Sequence, residues 1–207
     1  MNKLERIHYS RSEELQFQNI ADVNADNFKP RGLWYSIGDA WLAWVISEQP
    51  DWLGAYPYIY RPKLNHERIL TLPGEVAELR SFLAKYGVDF GPLGFMSFKQ
   101  IDWNAVAEDY AGIEFYPYRR NLMFNFYSDD EESRLTHDEV FSLTFYSGVD
   151  VPSGCIWHED GILDFGEPER QNIETIQAKA LEAKRRWEQD LYGDDDDDEE
   201  DEVSSSL

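Results

Sequence analysis

The sequence predicts an α+β domain, on three observations. Strand-like runs rich in aromatic and β-branched residues mix with helical stretches, without the steady βαβ beat of a doubly wound sheet. Two stretches carry helical periodicity, near residues 75–87 and 168–192. The 207 residues, 42% of them hydrophobic, suffice to bury one full core. The expected architecture is a split antiparallel sheet with peripheral helices, forming one domain over residues 1–192. A C-terminal amphipathic helix over 168–192 closes it, and a disordered acidic tail over 193–207 follows.

The elements follow in chain order. LERIHYS gives a first strand ending near Ser10, and a polar loop or partly helical excursion leads on from it. Lys29-Pro30-Arg31-Gly32 breaks that segment, and Leu33 to Ser36 forms a second strand. From Gly38 the pattern turns helical, with Asp39 as a candidate cap and Trp41, Trp44 and Val45 on one face. Glu67 to Leu72 is a third strand. Pro73-Gly74 opens a helix with Val76, Leu79, Leu83 and Tyr86 as its apolar stripe and Gly87 at its exit. A loop rich in Gly and Phe leads to Asp102, which can cap a short helix that buries Trp103, Val106 and Tyr110. Gly112 ends that helix, and IEFYPY reads as a strand. Leu122 to Tyr127, Val140 to Tyr146 and Cys155 to Trp157 are further strand candidates. On the last helix, Ile173, Ile176, Ala180, Trp187 and Leu191 make the apolar stripe.

Composition bounds the function. No apolar run approaches the length of a membrane span, and MNKLERIHYS lacks the apolar core of a signal peptide, so a cytoplasmic protein away from membranes is expected. One cysteine and four histidines offer no disulfide framework and no expected metal site. The net charge is −22, and Asp194 to Glu202 form an unbroken acidic run. Such a run repels itself and buries nothing; it favours solubility, or a basic partner. With no basic stripe in the chain, direct nucleic-acid binding through the surface is not expected.

The common catalytic and nucleotide-binding motifs are absent: there is no GxGxxG after a strand, no GxxxxGK[ST], no HExxH, no GxSxG and no CxxC. His158 follows Cys155 by three residues, which in a strand sets them on opposite faces, so the pair is not read as nucleophile and base. His66 and His137 sit in polar, turn-like contexts and read as surface residues.

Three stretches share a different pattern, in which a polar residue at a strand position is framed by aromatics. They are His8-Tyr9-Ser10, Gly32-Leu33-Trp34-Tyr35-Ser36, and Gly112-Ile113-Glu114-Phe115-Tyr116-Pro117-Tyr118. Alternation along a strand gives His8 and Ser10 one face. With Ile113 and Phe115 in the core, Glu114 emerges on the open side of the sheet. Seven Trp is a generous number for this chain, and three of them crowd into Trp34 to Trp44. That crowding fits either a core or a pocket for a flat ligand.

This set resembles the ADP-ribosyltransferase fold, in the branch marked by a His, an aromatic and a Glu. The resemblance spans roughly Leu4 to Tyr118. It implies NAD as substrate, with His8 and Ser10 on the ribose and carboxamide. Trp34, with Tyr35 as its competitor, would stack on nicotinamide, and Trp44 would complete the sandwich while Trp41 belongs to the core. Glu114 would be the catalytic carboxylate, with His8 beside it, stabilising an oxocarbenium-like transition state. At ~4 Å and an effective dielectric of about 20 such a carboxylate gives about 4 kcal/mol. The implied activity is cleavage of the nicotinamide–ribose bond and transfer of ADP-ribose to a macromolecular acceptor that the sequence does not name. A transferase-like fold that binds the nucleotide without turnover is a second reading. A third is a non-enzymatic acidic protein that binds or inhibits a basic or nucleic-acid-binding partner.

Overall fold

The computed structural model describes residues 4–24, 28–93, 96–122 and 127–192. Its centre is a seven-stranded sheet. The strands are β1 (Arg6–Ser10), β2 (Leu33–Ile37), β3 (Tyr58–Tyr60), β5 (Ile69–Thr71), β8 (Gly112–Phe115), β9 (Ser153–Ile156) and β11 (Glu169–Arg170), in the spatial order β11-β3-β1-β2-β9-β8-β5. All neighbours run antiparallel except β5 and β8, which are parallel. The α+β class is as the sequence predicts, but the sheet is one continuous, mixed sheet. What remains of a split is a handover within β1. Arg6 and Ile7 pair with Ile37 and Ser36 of β2, whereas His8, Tyr9 and Ser10 pair with Tyr60, Ile59 and Tyr58 of β3. Two small antiparallel pairs complete the strands: β4 (Lys63–Leu64) with β10 (Ile162–Asp164), and β6 (Gly87–Leu93) with β7 (Met96–Ile101).

The helices are α1 (Ala40–Glu48), α2 (Val76–Tyr86), α3 (Trp103–Asp109), α4 (His137–Ser142), α5 (Thr144–Ser147) and α6 (Ile173–Tyr192). On α2 the stripe Val76, Leu79, Leu83 and Tyr86 is buried, joined by Phe82. Asp102 caps α3 by accepting from the Asn104 and Ala105 amides at 3.1 and 3.3 Å. Trp103 and Val106 are buried there, whereas Tyr110 lies just past the helix and is half-buried. Asp39 does not cap α1. Its carboxylate is held by Arg186 of α6, and the Ser36 hydroxyl receives the Trp41 amide at 3.1 Å instead.

Four expectations about elements need correction. Val140 to Tyr146 is not a strand but the pair α4–α5. Thr136 and Glu139 close a reciprocal capping box that starts a helix, and this outweighs the β-propensity of the run. The Gly- and Phe-rich stretch after Gly87 is the β6–β7 hairpin. Leu122 lies in a helical turn, and 123–126 lie outside the described residues. The last helix starts at Ile173, because Glu169 and Arg170 pair with β3 first. Ile173 is exposed, and the stripe on α6 that meets α1 is Ile176, Ala180 and Ala183, with Trp187 half-buried beside it. The side chain of Leu191 and all of 193–207, the expected acidic tail, lie outside the described residues.

Strand alternation and register sort the sheet into two faces. Trp34, Cys155 and Ile113 share one face in register, with Phe115 beside them, and pack into the cluster built by α2, α3 and α5. Tyr9 lies on the same side, against the α1–α6 cluster. Tyr35, Gly154 and Glu114 share the opposite face, which Phe17, Leu64, Tyr116 and Ile162 cover.

Candidate functional site

On the helical side of the sheet, between the α1–α6 cluster and the α2–α3–α5 cluster, lies a cavity of about 420 Å³. Its floor is Ile7, Trp34, Ser36 and Ser153, with Tyr9 of β1 belonging to the aromatic wall beside Trp41. One wall is aromatic: Trp41 and Trp44 from α1, with Trp52 and Tyr56 from the turn that follows it. Lys29 and the segment Val149 to Val151 form the other wall. Trp34 lies parallel to Phe115 at a centroid separation of 6.5 Å, which fixes the plane of its indole, and its Nε1 donates to the Pro30 carbonyl at 3.3 Å. Lys29 reaches across to Asp150 at 3.3 Å, with its ammonium 5.9 Å from the Trp34 ring centroid. Asp150 holds a left-handed backbone, φ 69°, a conformation Asp tolerates better than most residues. Lys29 and Asp150 are the two oppositely charged members among the described lining residues, so their charges cancel locally.

The expected site residues divide between the two faces. Trp34, Trp44 and His8 border the cavity, and Tyr35 contributes to its edge. Ser10 does not: it is buried, and its hydroxyl accepts from the Ser12 amide at 3.1 Å. Glu114 does not either. It does not emerge on an open side of the sheet but is 3% exposed on the face away from the cavity. There its carboxylate accepts from Arg6 Nε at 2.9 Å and Nη2 at 2.8 Å, a two-pronged pair, and from the Tyr35 hydroxyl at 3.0 Å. The bond to Glu114 raises the Arg6 pKa, and burial, helped by the Glu114 charge, pushes the Tyr35 phenol well up. Glu114, Arg6 and Tyr35 form a closed polar cluster with its hydrogen bonds made.

His8 stands at the handover in β1. Its Nδ1 lies 2.7 Å from the Trp34 carbonyl and so donates to it, replacing a strand–strand bond where β1 leaves β2. Burial lowers the His8 pKa, with the Trp34 carbonyl opposing that shift. Since the folded pKa lies below the unfolded value of about 6.5, the unfolded chain takes up the proton first. The stability His8 supplies is therefore complete above about pH 6.5 and declines as pH falls through that value towards the lower folded pKa. Denaturant titrations at pH 7.5 and 5.5 test this: His8→Gln should lose less stability across the interval than the wild type, and an equal loss would refute the assignment.

Tyr9, Trp41, Trp52 and Tyr56 were not among the expected ligand contacts, yet they supply most of the aromatic wall. Trp41, expected in the core, is half-buried and stacks on Tyr9 at 4.4 Å. The spacing of Trp52 and Tyr56 after Pro50 was the available signal. Lys29 and Asp150 had none, because only folding brings residues so far apart in sequence together.

Cys155 is fully buried, and burial drives its thiol pKa well above the ordinary value; it has none of the features of a nucleophile. Among the described residues, no cluster of His, Cys, Asp or Glu could hold a metal ion, and no helix is long and apolar enough to cross a membrane. No family model, curated protein or solved structure matches the chain.

Proposed function

We propose that this protein binds a flat heteroaromatic ring against Trp34 and does not use Glu114 for chemistry. The ring that the sequence resemblance implies is the nicotinamide of NAD, so the reading is a nucleotide-binding fold without glycosidic cleavage at that carboxylate. One observation carries it: the aromatic side chains converge on one cavity, while Glu114 is enclosed on the far face of the sheet by Arg6 and Tyr35. A carboxylate that stabilises an oxocarbenium ion must face the sugar, and the sheet lies between Glu114 and the cavity. The cavity is within the size range that holds one ring system and its ribose.

Calorimetry with NAD and with nicotinamide tests the proposal. Trp34→Ala should weaken binding by about 1–3 kcal/mol, the worth of one stacked ring. Nicotinamide release from NAD should be absent in wild type and in Glu114→Gln alike. Release that disappears in Glu114→Gln, with the fold intact by circular dichroism, would restore the transferase reading. No binding of either compound would make Trp34 a core residue only.

A further inference from the structure

Beyond ring stacking on Trp34, we infer that the aromatic wall of the same cavity forms a separate subsite for an alkylated ammonium cation. Five rings there make a connected set. Tyr9 stacks on Trp41 at 4.4 Å, and Tyr56 meets Trp41 edge-on at 5.6 Å and an interplanar angle of 83°. Trp52 lies 6.5 Å from Tyr56, and Trp44 meets Trp52 at 6.1 Å and 60°. Tyr9 and Trp41 are near-parallel at 28°, whereas the other three contacts stand at 55° to 83°, and all five rings line the cavity, so the wall presents rings in more than one orientation. A flat ligand uses two parallel faces; a rounded cation uses faces set at angles, because each ring quadrupole presents its negative side to the charge.

Two further observations favour a cation. The Tyr56 ring already attracts one: the Arg11 guanidinium sits 4.9 Å from its centroid and donates to its hydroxyl at 3.2 Å, although Arg11 does not line the cavity. The chain as a whole carries a net charge of −22, which raises the local concentration of cations and lowers that of anions. Among the described residues no carboxylate belongs to the aromatic wall itself, so the selectivity is for a soft, poorly hydrated cation such as a quaternary ammonium, and not for a metal ion or a bare primary amine.

Choline and its uncharged carbon isostere 3,3-dimethyl-1-butanol are the probes, titrated calorimetrically into the full chain against matched sodium chloride. Choline should bind about tenfold more tightly than the isostere, because the two share a shape and differ in charge. Trp52→Ala should abolish that preference and Trp52→Phe should retain much of it. Trp52 is 40% exposed, so neither substitution threatens the core. Equal affinity of the two probes, or no binding of choline, overturns the subsite. Trp34→Ala separates this inference from the ring-binding one: choline binding should be unchanged by it while nicotinamide binding weakens.

Discussion

Arg6→Ala should destabilise the protein by about 3–5 kcal/mol, the cost of leaving a buried carboxylate without its partner. Arg6 is 16% exposed along its side chain and Glu114 only 4%, so water can replace little of what the guanidinium supplies. The two-pronged geometry adds to the loss, since both carboxylate oxygens lose a charged donor and the Tyr35 hydroxyl alone cannot satisfy them. Replacing both ends with apolar residues of similar size, Arg6→Met with Glu114→Leu, should recover most of the stability, because the desolvation cost of the charges goes with them. Urea denaturation of the three proteins makes the comparison. A loss below about 1 kcal/mol for Arg6→Ala would be the behaviour of a solvated surface pair and would contradict a closed cluster. The same series bears on function, since a cluster that holds the fold together is a poor place for a carboxylate that must face a substrate.

Gly154→Ala should cost about 3 kcal/mol, through overpacking rather than through any lost contact. Gly154 pairs with Tyr35 on one side and Glu114 on the other, and the Tyr35 ring lies across it to reach Glu114. A β-carbon at Gly154 would collide with the Tyr35 hydroxyl and ring, and would come within 2.7 Å of the Ile113 carbonyl oxygen. Tyr35 cannot swing away without giving up Glu114, and the carbonyl belongs to a central strand. Tyr35→Phe in the same background should not rescue it, because the ring carbon collides as well as the hydroxyl. Gly54→Ala is the control: its new methyl would meet only Ile173 Cδ1 at 3.5 Å, an ordinary contact, and should change stability by less than about 0.5 kcal/mol. A melting temperature for Gly154→Ala equal to that of Gly54→Ala would refute the packing argument.

Much of the local structure was legible in the sequence. The apolar stripe of α2 follows from spacing alone, and so does the Asp102 cap of α3. The α4–α5 pair was also legible, in Thr136 and Glu139, but the β-branched and aromatic residues after them pointed to a strand. The β6–β7 hairpin was obscured by Gly and Pro, which mark loops as readily as irregular strands.

The candidate site divides at the same line. Period-two alternation already sets Trp34 and Tyr35 on opposite faces of β2, and Glu114 and Phe115 on opposite faces of β8. Alternation within one strand does not say which face of β8 matches which face of β2. The two strands are not even neighbours: β9 lies between them, and its register matches Trp34 with Cys155 and Ile113, and Tyr35 with Gly154 and Glu114. A shift of one residue in either pairing would have brought Glu114 to the side of Trp34. The sequence by itself determined the class of fold, most of its helices and the wealth of aromatic residues around α1. Only the tertiary structure decided that those aromatics line a cavity and that the carboxylate lies behind it, because register is set by long-range pairing and by the burial of one whole face, which no local spacing encodes.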